Sequence, residues 1–133
     1  MLKRFALATA AVIAMAGCAG TASVTPSRFA GSFGGQWFNT VDADDRGTSE
    51  WFIDGAGNVE GEDFDPRLDI AYRVVGHVDE SGHLVSTATP NNGTAAAALN
   101  GQLEFNAVGQ ITGVLTWGVE PPLSYNYILT RHE

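Results

Sequence analysis

The sequence contains very little cysteine and almost no lysine. Its 133 residues include a single cysteine, Cys18, so no disulfide can form within the chain. Lysine occurs only at position 3, and acidic residues outnumber Lys and Arg by 15 to 7, which gives a formal net charge of −8. A protein that binds a phosphate backbone needs cations to neutralise it. We therefore expect no nucleic-acid partner.

Sequence motifs of catalysis are also lacking. The chain has no G-x-S-x-G, no H-E-x-x-H and no phosphate-binding loop. His77 and His83 flank a turn that contains Asp79, and two histidines with a carboxylate could hold zinc. Exposed turn histidines are more often simply solvated. We therefore expect no enzyme, no cofactor and no metal site.

Glycine, in contrast, is abundant, and three of the 16 glycines recur in one seven-residue pattern. The copies at 53–59, 78–84 and 105–111 each read apolar, Asp or Asn, two free positions, Gly, polar, apolar. Asp or Asn opens a type I turn, and the following Gly takes the left-handed position of a three-residue hairpin loop. The pattern predicts three hairpins with Gly57, Gly82 and Gly109 at that position.

The segments between these hairpins alternate apolar and polar residues. They predict strands at 35–39, 49–53, 59–62, 69–78, 84–89, 98–105, 111–117 and 124–131. Eight consecutive antiparallel strands predict an all-β fold, an eight-stranded up-and-down β-barrel over residues 35–133. The alanine run at 95–98 could instead form a helical turn.

One face of the predicted strands is rich in aromatic residues. The residues that this alternation turns inward are Trp37, Trp51, Tyr72, Trp117, Tyr125 and Tyr127. Eight strands enclose a space that side chains alone can fill, so a packed core is one interpretation. A ligand cavity lined by these rings is the other.

The first 18 residues have the character of a secretory signal. Lys3 and Arg4 precede an apolar run at 5–15 that is too short to span a bilayer. The segment Met15-Ala16-Gly17-Cys18 resembles the lipobox of bacterial lipoproteins. The resemblance implies a signal peptide at 1–17, acylation (palmitate) of Cys18, a tether at 18–34 and a lipid anchor in the bacterial cell envelope. Ala19 after the cysteine implies the outer membrane; ordinary cleavage of a secreted protein is the alternative.

The barrel itself resembles two groups of proteins. Gly35-Gln36-Trp37 is similar to the start of lipocalins and avidins, although the ligand-binding tryptophans of avidins do not follow, so biotin is not expected. Segments 50–54 with 59–61, and 99–105 with 111–113, are similar to the barrel repeats of transferrin-binding-protein-like surface lipoproteins. The second resemblance implies a barrel lipoprotein that binds a partner protein.

Acidic residues gather in the connections at the end of the barrel opposite the hairpins. These residues are Asp42, Asp44, Asp45, Asp63, Asp65 and Glu120. As an exposed rim they could keep the protein soluble or steer a basic partner protein. A calcium loop at 42–47 is a third possibility, but Arg46 and Ile53 stand where calcium ligands belong.

The expected function is a non-enzymatic protein-binding or inhibitory module. Its docking surface would combine the acidic rim with Phe38 and Phe52, which alternation places outward on adjacent strands. Phe29 and Phe33 could instead fold back and cover those rings. The alternative function is a lipocalin-like carrier of a small apolar ligand. An apolar cavity between the longer loops would favour the carrier, and a filled barrel with an exposed apolar patch would favour the module.

Overall fold

The computed structural model describes residues 25–133, and these form one closed antiparallel β-barrel. The strands are β1 (Gly31–Asn39), β2 (Arg46–Ile53), β3 (Asn58–Asp65), β4 (Ile70–Val78), β5 (His83–Pro90), β6 (Ala97–Phe105), β7 (Ile111–Trp117) and β8 (Leu123–Arg131). Each strand pairs with the next along the chain, and β1 pairs with β8. The predicted all-β, up-and-down barrel of eight strands is confirmed. The expected signal peptide, lipobox and Cys18 lie outside the described residues.

The three hairpin turns have the predicted geometry. Gly57, Gly82 and Gly109 have φ values of 88°, 94° and 84°. In the first turn, the carboxylate of Asp54 accepts hydrogen bonds from the backbone N–H groups of Ala56 and Asn58, both at 2.9 Å. The same side-chain contacts recur in the other two turns. The turn residues therefore fix the register of three strand pairs, which places the flanking apolar residues opposite each other.

The barrel begins earlier than the sequence indicated. Strand β1 starts at Gly31, within the segment 18–34 that we assigned to a tether. The sequence did not predict this start because the glycines and serine of this stretch give little apolar alternation. Phe29 and Phe33 are fully buried. The Phe29 ring stacks on Phe105 with ring centroids 5.1 Å apart. The rings of Phe29 and Phe105 close the hairpin end of the barrel from inside. Because Phe29 and Phe33 both belong to the core, the hypothesis that they cover Phe38 and Phe52 is wrong.

The two outward phenylalanines do not form one patch. Phe38 is half-buried and lies opposite Arg46, whereas Phe52 is exposed and lies opposite Ser32. Arg46 and Phe52 stand at the two ends of β2. At about 3.3 Å per residue this separates the rings by roughly 20 Å along the barrel wall. They are therefore unable to act together as one compact anchor.

The core follows the predicted inward face. The six tryptophans and tyrosines named above are buried or half-buried, together with leucines, isoleucines and valines from strands β2 to β8. Gly61 lies directly against the Trp51 ring, where a Cβ atom would come within 2.5 Å of the indole. Glycine on an inward strand position thus makes space for a large ring. Within residues 25–133, no helix is long and apolar enough to cross a membrane.

Candidate functional site

A cavity opens at the end of the barrel opposite the hairpins. Its volume is about 160 Å³. The aromatic walls are formed by Trp37, Tyr72, Trp117, Tyr125 and Tyr127, the apolar remainder by Leu68, Ala88, Leu99 and Leu123, and the charged positions by Asp45, Asp63, Asp65 and Arg67. An apolar cavity of about 150 Å³ can hold a benzene molecule. The space therefore suits a small ligand with one ring or a group of similar size.

The aromatic walls are held rigid by contacts between rings. Trp37 meets Tyr125 edge to face with centroids 5.2 Å apart, and Tyr72 meets Trp117 in the same way at 5.3 Å. The Trp37 indole N–H also donates to the backbone carbonyl of Thr48 at 3.1 Å. Such pairs stabilise a defined orientation of each ring. The cavity is consequently a preformed feature of the barrel.

Asp63 and Asp65 lie inside the barrel, and the prediction that they belong to an exposed rim is wrong. Strand β3 continues to Asp65, three residues beyond its predicted end at 62. The inward alternation that starts at Val59 and Gly61 therefore carries on to both aspartates. They are only 4% and 3% exposed. The backbone pairing of β3 with β4 extends the strand despite its polar sequence.

Asp63 lies at the centre of a buried hydrogen-bond network. Its Oδ1 accepts from the Ser49 hydroxyl and from the Trp51 indole N–H, both at 2.7 Å, and its Oδ2 accepts from the Tyr127 hydroxyl. Burial raises the pKa of Asp63, and the three donors offset this effect in part. The network joins β2, β3 and β8 beneath the cavity.

Asp45 and Asp65 line the cavity nearer its mouth. Asp45 Oδ2 accepts from the Tyr125 hydroxyl at 2.8 Å and from the Asn39 amide at 3.1 Å. Asp65 Oδ1 accepts from the backbone N–H groups of Arg67 and Leu68, at 3.0 and 3.3 Å. The Asp65 turn thereby positions the loop that carries Arg67.

The surroundings of the cavity tyrosines are negative. Burial raises the pKa of Tyr72, and the charges of Asp65 and Asp45 raise it further. Burial and the hydrogen bond to Asp45 also raise the pKa of Tyr125, and burial with the charge of Asp63 raises that of Tyr127. Each phenol therefore stays protonated at neutral pH, and Tyr125 and Tyr127 use their single O–H to donate to Asp45 and Asp63.

One polar atom in the cavity wall lacks a hydrogen bond. The Trp117 indole nitrogen, Nε1, is buried and is the only such side-chain atom without a partner among residues 25–133. A buried N–H without an acceptor is costly. The nitrogen is also closed to solvent, so a ligand in the cavity would not reach it unless the indole ring shifted.

The remaining candidate residues do not come together. Asp42 and Asp44 are exposed on the β1–β2 loop, where the Asp44 N–H donates to Asp42 Oδ1 at 3.1 Å. Asp79 Oδ1 accepts from the backbone of its own hairpin turn, and His77 Nε2 contacts the Ala56 carbonyl. Within the described chain, no group of three or more His, Cys, Asp or Glu residues could hold a metal ion. The zinc and calcium hypotheses therefore have no geometric support in the described barrel.

Sequence reasoning identified the aromatic face but missed the carboxylates within it. The two-residue spacing of Val59, Gly61, Asp63 and Asp65 indicates that the strand continues to residue 65. The last residues of the strand are polar, so this spacing was not recognised as the inward face. The contact between Tyr125 and Asp45 joins residues 80 positions apart and depends on closure of the barrel. No local sequence pattern predicts such a pair.

Comparisons with known proteins found no matching family model, no matching curated protein and no matching solved structure. The resemblances to lipocalins and avidins, to transferrin-binding-protein-like lipoproteins and to the lipobox therefore stay predictions. The geometry of the cavity is the basis for a functional proposal.

Proposed function

We propose that the barrel is a binding module that takes a small ligand into the cavity at its open end. The observation that carries the proposal is the cavity itself, with aromatic walls, a few polar groups and an opening between the longer loops. Cavities of this composition are typical of small-molecule sites. Of the two functions expected from the sequence, this geometry favours the carrier over the protein-binding module.

The distribution of the acidic residues also supports this choice. Of the five aspartates expected on a docking rim, only Asp42 and Asp44 are exposed. Asp45, Asp63 and Asp65 line the cavity. The charges of these three aspartates therefore act on a ligand inside the barrel rather than on a protein partner outside it.

The expected anchor agrees with the orientation of the cavity. Strand β1 begins beside the first hairpin, with Gly31 paired to Ile53, so the chain enters the barrel at the closed end. A lipid on Cys18 would hold that end towards the membrane. The cavity would then face away from the membrane, open to the surrounding medium.

The ligand-binding proposal is tested by following the tryptophans. Trp37 and Trp117 line the cavity and Trp51 packs on Tyr127 beneath it, with ring centroids 5.5 Å apart. These are the only three tryptophans of the chain. Single-ring compounds that are neutral, cationic or anionic should shift the indole N–H resonances saturably at millimolar concentration, which corresponds to about −4 kcal/mol. If none does so, the proposal is wrong.

Filling the cavity provides the matched variant. Ala88 on β5 points into the cavity, whereas Val85 on the same strand is 54% exposed on the outer wall. Ala88→Leu should abolish binding because the added atoms occupy ligand space, and Val85→Leu should leave it unchanged. Equal binding by both variants would move the site away from the cavity.

The anchor has its own test. Cys18→Ser should transfer the protein from the membrane fraction to the soluble fraction, or leave its precursor unprocessed, because the acyl chains that hold it are no longer attached. The measurement is immunodetection of both fractions after cell lysis. Wild-type protein found wholly in the soluble fraction would contradict the anchor.

A further inference from the structure

The cavity contains more negative charge than its neighbours balance. Three carboxyl groups line it, and Arg67 is the one cation among the described residues that does so. Arg67 reaches Asp45 at 3.5 Å, and its side chain is 54% exposed, so water screens much of its charge. No ion pair within residues 25–133 involves Asp63 or Asp65. Among the described residues, two buried carboxyl groups at the cavity thus have no ion-pair partner.

Asp65 is the carboxyl group best placed to bind a ligand. Aspartate is almost never as buried as this unless it is paired. Both hydrogen bonds that it accepts within residues 25–133 end on Oδ1, which leaves Oδ2 for another donor. Asp63 differs, because its two oxygens already accept from Ser49, Trp51 and Tyr127. Among residues 25–133, the vacant acceptor of the cavity therefore belongs to Asp65.

Aromatic faces surround these carboxyl groups. Tyr72 lies close enough to Asp65 and Asp45 for both charges to act on its hydroxyl, and its ring contacts Trp117. The faces of tryptophan and tyrosine attract cations, and the attraction is stronger where water is excluded. The same wall that would accept an apolar group would thus accept an alkylated ammonium group.

We infer that the ligand of this cavity is a small organic cation, whose ammonium-type group lies against Asp65 and Asp45 and whose apolar part packs on Trp37, Tyr72 and Trp117. This inference rests on the proposed function and adds the charge of the ligand to it. Arg67, at the mouth, competes with the ligand for Asp45.

Three probes of the same size separate charge from shape: benzylammonium, benzyl alcohol and benzoate. They are titrated separately into the purified protein, with the three indole N–H resonances as readout. Benzylammonium should bind at least tenfold more tightly than benzyl alcohol, and benzoate most weakly. Added salt should weaken benzylammonium binding and leave benzyl alcohol binding unchanged.

Asp65→Asn is the decisive variant, because asparagine keeps the Oδ1 acceptor that holds the Arg67 and Leu68 amides. It should lower benzylammonium affinity at least tenfold and leave benzyl alcohol affinity unchanged. Asp44→Asn, on the exposed loop, is the matched control and should change neither. Arg67→Gln should raise benzylammonium affinity several-fold by removing the competing cation.

The outcomes distinguish this inference from the proposed function. Benzyl alcohol or benzoate binding as tightly as benzylammonium would overturn the cationic ligand and leave the cavity as a binding site. Tighter benzoate binding that is lost in Arg67→Gln would assign an anion instead. No shift with any of the three probes would overturn both. The wild-type comparison of the probes decides the matter even if Asp65→Asn fails to fold.

Discussion

At the scale of single residues, Asp63 is the most unusual group of the barrel. It is buried beneath the cavity, and within the described chain its hydrogen-bond donors are neutral side chains. Three donors favour the ionised form, but loss of water outweighs them, and the pKa is raised from its ordinary value of 3.8. The folded protein therefore binds this proton more tightly than the unfolded chain does.

The stability of the barrel should consequently depend on Asp63 in a defined direction. A raised carboxyl pKa means that the free energy of unfolding falls as pH rises from about 3.8 through the folded pKa. Asp63→Asn removes this titration, so its stability relative to wild type should increase over the same range. Urea denaturation at a series of pH values measures the difference. A difference that does not vary with pH would contradict the prediction.

Asp54 provides a control of opposite sign. The Asn58 side chain and backbone amides of the hairpin turn donate to it and lower its pKa. Its contribution to stability is therefore present above pH 3.8 and is lost as pH falls through the folded pKa. Asp54→Asn should lower stability relative to wild type at neutral pH and converge with it in acid.

At the scale of structural elements, the hairpin turns determine the strand order. The three turns share the same side-chain contacts but differ in their surroundings. A Cβ atom on Gly109 would meet nothing within 4 Å, whereas one on Gly82 would come 2.0 Å from the Leu103 carbonyl oxygen. A residue larger than glycine would thus meet only conformational strain at position 109, whereas at position 82 it would also clash with the backbone of β6.

The two glycines should therefore differ in their sensitivity to substitution. Gly109→Ala should cost about 1 kcal/mol, the strain of a left-handed residue. Gly82→Ala should cost roughly 3 kcal/mol, because β6 must also move away. Gly109→Asn should cost less than Gly109→Ala, since asparagine tolerates this conformation. Chemical denaturation measures all three, and equal costs for the two alanine variants would contradict the role of the Leu103 contact.

At the scale of the whole molecule, the barrel has a closed end and an open end. Phe29 and Phe105 stack to close the hairpin end, and the Arg28 guanidinium lies 4.2 Å from the Phe29 ring centroid. The cavity, with Asp45, Asp63 and Asp65, occupies the opposite end. Loss of the Phe29 ring should therefore affect stability without affecting binding.

Phe29→Ala tests this separation. It should lower the free energy of unfolding by about 3–5 kcal/mol, the usual cost of removing a buried phenylalanine ring. The affinity of the cavity for a probe should not change, because the ring lies at the other end. Val108→Ala, at a position that is 78% exposed, should change neither quantity. A loss of probe affinity in folded Phe29→Ala protein would show that the two ends are coupled.

The turns, the strand order and the inward face could all be predicted from the amino-acid sequence. The turn signal is an Asp or Asn with a Gly three residues later, and it lies within seven residues. Alternation along one strand then decides which side chains point inward. For this reason the pairing of Val78 with Leu84 and the inward position of Trp37 and Tyr127 agree with the prediction.

The positions of the acidic residues depend instead on how the whole barrel folds. The end of β3 is set by backbone pairing with β4, which extends a polar segment that has no apolar pattern of its own. Tyr125 meets Asp45, and Phe29 meets Phe105, only once the sheet has closed. Contacts between distant segments depend on the shape of the barrel, which no short stretch of sequence encodes. Three of the five aspartates expected on an outer rim, Asp45, Asp63 and Asp65, therefore line the cavity.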